Sequence, residues 1–571
     1  MIIPGTAQEQ NKKTDTVAVT VRIDGKDVTM DPGGLMAVSI GLEANKVPWA
    51  RLIFADGSVE KQTFEKSDTD TFSPGKTVEI LMGYGQDKDT IFKGVVTRHA
   101  VKIMPNAPFR LELECKDPVV KATVVKKSLY HYKQTDKAII QDILGTYPDV
   151  KSGDMKEEGT QHDSLVQYNV SDWDFMVMRA DANGMFLRAQ GGSVDLLKPE
   201  IKGTADLQVQ FGMSSSGLSL QEFESEIDVR NHYPSVKGHT WDASKQEVAE
   251  EKASKDGGGG GGGLGGVVGQ VASVIGGGGA AKKDFPDVLY SDKNTVELYH
   301  GGDVDSKALT AWVDAKMKRG ELSRIRGRVA LNGAKILPGD TLEVNGVSSR
   351  FNGKHLVTGV LHQYARGHWK TDIQFGWMRD FVADEWTSSQ PDASGLVPGI
   401  RGLHVGVVSK LEGDSRSGDF RIQVRLPFVA MNANGSQADG IWARLANVYA
   451  GDKRGFIFRP EIDDEVIVGF INNDPNDAVV LAAMNSEKNV GPSEIKASDK
   501  NEKKGFISKS GMQFLFDDDA QKITVSAGDS SAPHIELDGK GSKVTIACDS
   551  SNSIELSSSG VTVKGTRIDL N

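Results

Sequence analysis

The chain has 571 residues, of which 38% are hydrophobic and 25% are charged, and its formal net charge is −11. These values are ordinary for a soluble chain of several domains, and the acidic balance without a basic cluster argues against nucleic acid or anionic membrane as a main partner. The two cysteines, Cys115 and Cys548, lie far apart, which argues against a disulfide framework or a cysteine metal site. The sequence shows neither a signal peptide nor a membrane-spanning run, so synthesis in the cytoplasm is expected.

The first 120 residues are predicted to form a β-barrel or sandwich. Apolar residues alternate with polar ones over residues 17–23, and Asp24-Gly25 supplies a turn. Further strand patterns follow at residues 38–42, 49–54, 77–82, 91–99 and 109–115. This spacing is typical of an all-β domain.

Residues 121–300 are predicted to form a mixed α/β insertion. Apolar residues at helical spacing predict a helix over residues 135–147, and a second helix is expected from Ser171, which forms a capping-box pattern with Asp174. Residues 243–282 are of low complexity, with a charged helical piece predicted over 244–255 before seven consecutive glycines. These glycines lack the Gly-Lys-Ser/Thr ending of a phosphate loop, so a flexible segment is the expected structure.

A second β-barrel domain is predicted over residues 301–385; it opens with a helix at 306–319, and a polar linker follows the domain at 386–402. Residues 403–485 contain five or six short strands with glycine turns, a pattern that fits a small barrel such as an OB-fold. Barrels of this kind often bind nucleic acid, but the acidic run Asp463-Asp464-Glu465 makes that interpretation poor here. A metal or acid–base cluster at the same three residues is also less favoured than a turn before the next strand.

The C-terminal stretch, residues 505–571, follows a second polar linker at 486–504 and is the most informative part of the sequence. Seven short segments alternate apolar and polar residues, and turn-forming residues separate them. We predict that the apolar positions form one buried face: Phe514, Phe516, Ile523, Val525, Ile535, Leu537, Val544, Ile546, Ile554, Leu556, Val561, Val563, Ile568 and Leu570.

A single chain cannot cover such a face by itself. The meander is narrow, and no helical pattern accompanies it, so its edges and its apolar side would stay open. Repeated units of this kind bury their apolar side by stacking or association. We therefore predict a homotrimeric β-prism, a stiff needle in which three chains share one core. An independent small β-domain is the alternative.

Several motifs in the chain resemble VgrG proteins, the spikes of type VI secretion and related contractile injection systems. Residues 442–445 (WARL), 455–470 (GFIFRPEIDDEVIVGF) and 473–475 (NDP) resemble the barrel signature of that family. Residues 167–186 resemble the hub segment of the family and of phage tail hubs. Residues 351–355 with 371–376 resemble its second hub barrel. The resemblance covers nearly the whole chain in the family's domain order.

The resemblance implies a mainly β protein with a hub of two β-barrels and an α/β insertion, an OB-like neck and a trimeric needle. It further implies a structural spike at the tip of a hexameric inner tube, where baseplate proteins surround it and the target membrane is only transiently met. A tip protein of the PAAR kind or effector cargo is expected at the needle end, which places Asp569, Leu570 and Asn571 at the tip-partner surface. The spike would assemble in the bacterial cytoplasm and then be expelled.

No catalytic constellation, cofactor site or metal site is predicted. The eleven histidines are scattered, and the Gly212–Ser216 run lacks the closing glycine of a nucleophile elbow. The linker before the needle is too short for the lysozyme domain of some phage spikes, and no effector domain is expected after Asn571. Two alternatives remain open, namely an enzymatic activity within residues 151–290 and a trimeric receptor-binding tail protein.

Overall fold

The computed structural model describes residues 16–28, 34–105, 108–156, 159–212, 218–230, 233–242, 245–254, 295–301, 304–378, 380–381, 384, 392–415, 420–429, 439–529 and 532–569. The chain is mainly β, as the sequence predicts. It divides into two compact units, Met1–Ser389 and Gln390–Asn571.

The first hub barrel is built from seven strands that pair in the order β2-β1-β5-β6-β7-β4-β3. Its inward side chains alternate along each strand, as with Ala50, Leu52 and Phe54, because successive residues of a strand point to opposite faces. The strands are β1 (Val17–Ile23), β2 (Lys26–Asp27), β3 (Leu35–Glu43), β4 (Trp49–Ala55), β5 (Thr77–Tyr84), β6 (Asp87–Lys102) and β7 (Arg110–Lys116).

The α/β insertion follows, with its own apolar core. Both predicted helices are present, and each begins at a capping residue: the hydroxyl oxygens of Thr135 and Ser171 accept hydrogen bonds from the backbone N–H groups of Ala138 and Asp174, both at 3.2 Å. In chain order the elements are α1 (Lys121–Val124), β8 (Lys126–Thr135), α2 (Asp136–Gly145), β9 (Lys151–Met155), β10 (Gln161–Ser171), α3 (Asp172–Ala182), β11 (Phe186–Gln190) and β12 (Ser193–Leu197).

The second hub barrel is a closed ring of six strands, in the order β13-β14-β18-β21-β20-β19 and back to β13. Two of its strands come from residues that the sequence pattern assigned to the insertion, because apolar alternation shows that a strand exists but not which strand it pairs with. The ring is formed by β13 (Leu207–Gln210), β14 (Leu218–Ile227), and then β18 (Ile325–Asn332), β19 (Thr341–Asn345), β20 (Gly353–Ala365) and β21 (His368–Phe375).

Between β14 and β18 the chain forms a three-stranded sheet covered by helix α4 (Ser306–Leu322). The sheet contains β15 (Ser235–Asp242), β16 (Glu247–Ser254) and β17 (Val296–Tyr299). Strand β16 occupies residues for which a charged helix is predicted, so that prediction is wrong. Eight cross-strand pairs with β15 outweigh the helix preference of its Glu, Ala and Lys residues. The glycine run that was predicted to be flexible lies outside the described residues.

The two hub barrels share one continuous hydrogen-bonded sheet. Strand β3 of the first barrel pairs with β20 of the second in an antiparallel ladder from Ala37–Ala365 to Glu43–Gly359. One apolar core runs across both barrels.

The second unit begins with a closed five-stranded barrel, in the order β22-β23-β24-β28-β27. This agrees with the OB-like neck that the sequence predicts. Its strands are β22 (His404–Lys410), β23 (Ile422–Arg425), β24 (Ile441–Leu445), β27 (Glu465–Phe470) and β28 (Ala478–Met484), and a short hairpin of β25 (Ala450–Gly451) and β26 (Arg454–Gly455) projects from it.

The needle is a single antiparallel meander of seven strands. Six match predicted segments, whereas the first begins inside the predicted linker 486–504. The expected strand at Ile568 does not form. The strands are β29 (Lys503–Ile507), β30 (Gln513–Asp517), β31 (Lys522–Ser526), β32 (His534–Asp538), β33 (Lys543–Ala547), β34 (Ser553–Ser557) and β35 (Gly560–Lys564).

Glu112 on β7 provides a test of hub stability. It is 1% exposed and accepts from Arg51, Lys102 and Arg110 at 2.5, 2.8 and 2.8 Å. Burial alone would raise the pKa of Glu112, but the three hydrogen bonds outweigh burial and lower the pKa to about 2. The ionised carboxylate therefore stabilises the fold above its ordinary pKa, and this contribution is lost as the pH falls towards 2.

We predict that Glu112→Gln lowers hub stability by about 3 kcal/mol at neutral pH, because three cations lose their shared anion. The difference in melting temperature from the wild type should shrink between about pH 4.5 and pH 2, as followed by scanning fluorimetry. Glu114→Gln, at an exposed neighbouring pair with Arg98, serves as the control with a small expected effect. A difference that stays constant over this pH range would contradict the prediction.

Ser171→Ala removes the hydroxyl that caps α3 and should cost about 1 kcal/mol locally. Hydrogen exchange of the amides at residues 172–175 should accelerate by about fivefold, while the rest of the chain is unchanged. Ser164→Ala, at an exposed position of β10, is the matched control. Equal exchange in both variants would show that the cap contributes nothing.

Candidate functional site

The apolar face of the needle sheet is the candidate functional site. Cross-strand register places twelve of the fourteen predicted core residues in two columns on one side of the sheet. One column contains Phe514, Val525, Ile535, Ile546, Ile554 and Val563, and the other contains Phe516, Ile523, Leu537, Val544, Leu556 and Val561. Each residue lies directly opposite its neighbour on the next strand, so the two columns form one continuous surface.

Ile568, Leu570 and the predicted tip residues do not extend these columns. Ile568 follows the last strand and is 53% exposed, while Asp569 is exposed and pairs with Arg567 at 3.0 Å. The turn at Thr566, whose N–H donates to the Asn552 side chain at 3.2 Å, ends the meander before Ile568. Leu570 and Asn571 lie outside the described residues.

The face remains open in the single chain. Nine of the twelve side chains are between 37% and 67% exposed, and the described residues place no second layer over them. Full burial of a Val, Leu or Ile side chain is worth roughly 1.5–3 kcal/mol, so covering the remaining area would contribute about 1 kcal/mol for each side chain. Over the whole face this approaches the net stability of an ordinary domain. Contiguous exposed apolar surfaces of this kind mark interaction sites.

The opposite face of the same sheet is polar. At one end of the strands, this face carries a column of five charged residues: Lys503, Asp517, Lys522, Asp538 and Lys543. Each of them lies directly across from a residue of opposite charge on the next strand. Lys522 contacts Glu536 at 2.9 Å and Asp538 at 3.4 Å, and the hydrogen bond with Glu536 raises the pKa of Lys522. This side of the sheet is therefore suited to water, and the two faces differ sharply in character.

Aspartates fix the tight turns that keep the strands short. The side chains of Asp517, Asp538 and Asp549 accept hydrogen bonds from the N–H groups of Ala520, Gly541 and Ser551, each at 2.7 Å. Hydrogen bonds of this kind, from the backbone to a nearby aspartate side chain, close a turn locally. Because each strand has only five residues, each can present two apolar side chains to one face.

An aromatic cluster that the sequence analysis missed extends the apolar face onto the neck barrel. Phe506 on β29 lies 5.6 Å from Phe456 and 5.5 Å from Phe458, measured between ring centroids, and 6.2 Å from Phe514. Phe506 and Phe458 are 45% and 58% exposed. No apolar alternation marks this strand in the sequence, because Lys504 lies on the same face as Phe506, opposite Phe516.

Within the described residues, no three His, Cys, Asp or Glu side chains lie close enough to hold a metal ion. Asp463 and Asp464 form a turn, in which the Asp464 side chain accepts from the Glu461 N–H at 2.8 Å. Among the described helices, none has the length and hydropathy required to cross a bilayer.

Comparisons with known protein families match two parts of the chain. The family described as "Alg8 N-terminal domain" matches residues 13–366, and the family described as "Type VI secretion system/phage-baseplate injector OB domain" matches residues 404–484. The second match coincides with the closed five-stranded barrel. It confirms the OB-like neck.

Two curated proteins are similar over shorter segments. The type VI secretion system spike protein VgrG5 of Pseudomonas aeruginosa is 27% identical over 163 residues, which cover 25% of this chain and 20% of that protein. The actin cross-linking toxin VgrG1 of Vibrio cholerae is 32% identical over 72 residues, which cover 13% of this chain and 6% of that protein. The chain thus spans a fifth or less of the length of these relatives.

Among solved structures, a tail protein from Neisseria meningitidis superposes with a TM-score of 0.46 at 11% identity, covering 64% of this chain and 99% of that chain. The family assignment depends on the sequence matches. Because the first family match extends over more than half of the residues, the chain belongs to the Alg8 N-terminal domain family, and its matched segments are similar to VgrG spike proteins.

Proposed function

We propose that three copies of this chain form the spike of a contractile injection machine. The observation that carries the proposal is the two-column apolar face, which is continuous over the needle and open in one chain. Three such sheets, with their apolar faces turned inward, close a prism with a dry core and a polar exterior. Two facing sheets would also bury these columns, so the number of chains in the particle is what distinguishes the proposed trimer from a dimer.

A stiff prism suits a mechanical role. Its strands are short, their turns are fixed by aspartates, and the cross-strand charges on the outer face favour a single register. We propose that the needle transmits force to a target envelope and that its end carries a tip protein or effector. The spike would be assembled in the bacterial cytoplasm and expelled with the tube.

The hub is proposed to cap a hexameric inner tube next to the baseplate. Each chain contributes two barrels joined through β3 and β20, so that three chains would present six barrels around one axis. That number matches the subunits of a hexameric ring. The proposed role is structural rather than enzymatic. The toxin activity in the name of VgrG1 belongs to that protein, of which the match covers 6%.

The number of chains in the particle tests the proposal. The full chain at micromolar concentration should scatter light as a species of three times 61.5 kDa. Ile546→Lys should convert it to a monomer, because three lysines would have to enter the dry core without partners. A drop from the trimeric to the monomeric mass is the expected readout.

Thr545→Lys is the matched control. It adds the same charge one residue away, on the opposite face and directly across from Glu536 and Glu555, so the trimer should persist. A wild-type chain that is monomeric at micromolar concentration, or an Ile546→Lys variant that keeps the trimeric mass, would overturn the proposal.

A further inference from the structure

The hairpin that projects from the neck barrel carries apolar side chains that the barrel does not bury. This neck hairpin spans residues 446–459 and includes β25 and β26. Its large apolar side chains are between 38% and 94% exposed, and none of them belongs to the core of the barrel: Val448, Tyr449, Phe456, Ile457 and Phe458. A dense cluster of exposed apolar side chains marks an interaction surface.

Contacts within the chain hold the neck hairpin in one conformation. The Phe456 N–H donates to the Tyr449 carbonyl at 2.8 Å, and the Arg454 guanidinium lies 5.6 Å from the centre of the Tyr449 ring. At the base of the hairpin, the Arg459 guanidinium donates to the Leu411 carbonyl of the barrel. The apolar side chains are thus positioned before a partner arrives, which lowers the entropic cost of association.

The neck hairpin continues the apolar face of the needle. Phe506 lies directly across from Phe514, so it extends the first of the two apolar columns by one strand. The Phe458 ring stacks on Phe506 with 5.5 Å between ring centroids, and Phe456 lies 4.5 Å from Phe458. We call Phe456, Phe458 and Phe506 the aromatic collar. Its side chains are between 38% and 58% exposed, so a large part of the collar is uncovered in one chain.

The second apolar column ends in a charged residue at the level of the collar. Lys504 lies directly across from Phe516 and pairs with the Asp518 carboxylate. Because charged side chains are costly to bury in a dry core, the apolar core of the needle ends at this strand. Close to the same end, Lys509 of the needle pairs with Glu461 of the neck at 3.2 Å. The collar therefore lies where the needle core meets the neck barrel.

We propose that the aromatic collar of each chain packs against the collars of two neighbouring copies and closes the dry core of the needle at its neck end. This inference rests on the trimer of the proposed function and adds the neck to its interface. Phe506 lies on the same side of the sheet as the needle columns, so three sheets that turn these columns inward also turn their collars towards one axis. Uncharged aromatic rings pack well against copies of themselves, in offset or edge-to-face contacts.

Charge exchange between chains tests the proposal with the full-length protein. Phe458→Glu and Phe458→Lys each place three like charges in the collar, so each variant trimer should dissociate about tenfold faster than the wild type. Cells that produce both variants with different tags yield mixed trimers in which opposite charges meet. These should dissociate within about threefold of the wild-type rate. The readout is the loss of trimeric mass by mass photometry, in urea at which the wild type dissociates over hours.

Mixing separates a contact between chains from a contact within one chain. If Phe458 supported only the Phe506 ring of its own chain, mixed trimers would dissociate as fast as trimers of a single variant. Leu481→Glu and Leu481→Lys are the matched controls, because Leu481 is an apolar neck residue, 46% exposed, that lies beside Gly469 and outside the collar. Their trimers, single or mixed, should dissociate at the wild-type rate.

Three results would overturn the collar while leaving the trimer in place. These are wild-type rates in both Phe458 variants, mixed trimers that dissociate no more slowly than single-variant trimers, and equal acceleration by the Leu481 variants. A wild-type chain that is monomeric at the start would instead overturn the proposed function, and the collar with it. The starting mass therefore distinguishes the two failures.

Discussion

The second unit depends on an imbalance between the two faces of one thin sheet. The needle presents two apolar columns on one face and a column of alternating charges on the other, and no described element covers the apolar side. In a monomer, the apolar side chains of this face would remain in contact with water, which is unfavourable. Association between chains would bury the apolar face. The short strands and the aspartate turns make the sheet regular enough for chains to associate along its whole length.

The difference between the two faces could be predicted from the sequence, because the alternation of apolar and polar residues along a strand is a local property. Ile535 and Leu537, or Val544 and Ile546, are two apart, and aspartates and glycines mark the turns between such pairs. The helix cap at Ser171 was predictable for the same reason. The neck barrel combined local patterning with a specific motif, so its fold could be predicted.

Pairing between distant segments could not be predicted. Residues 207–210 and 218–227 have a strand pattern, yet nothing local shows that they complete a ring with strands about 100 residues or more later. Strand β16 has the composition of a helix and becomes a strand only through its pairing with β15. Phe506 was missed because two lysines and a glycine surround it. The hydrogen bond between Asn45 and Leu187 joins residues 142 positions apart, and no periodicity reveals it.

The ladder between β3 and β20 has a consequence for how this chain can be rearranged. It joins strands separated by about 300 residues of sequence, and cutting between the barrels would expose two long, unpaired strand edges. Neither barrel is therefore expected to fold when it is transferred to another protein without the other. Chimeras and natural recombination events that exchange hubs between related proteins should succeed only when both barrels and the intervening insertion are inherited together, with the crossover placed after Met378.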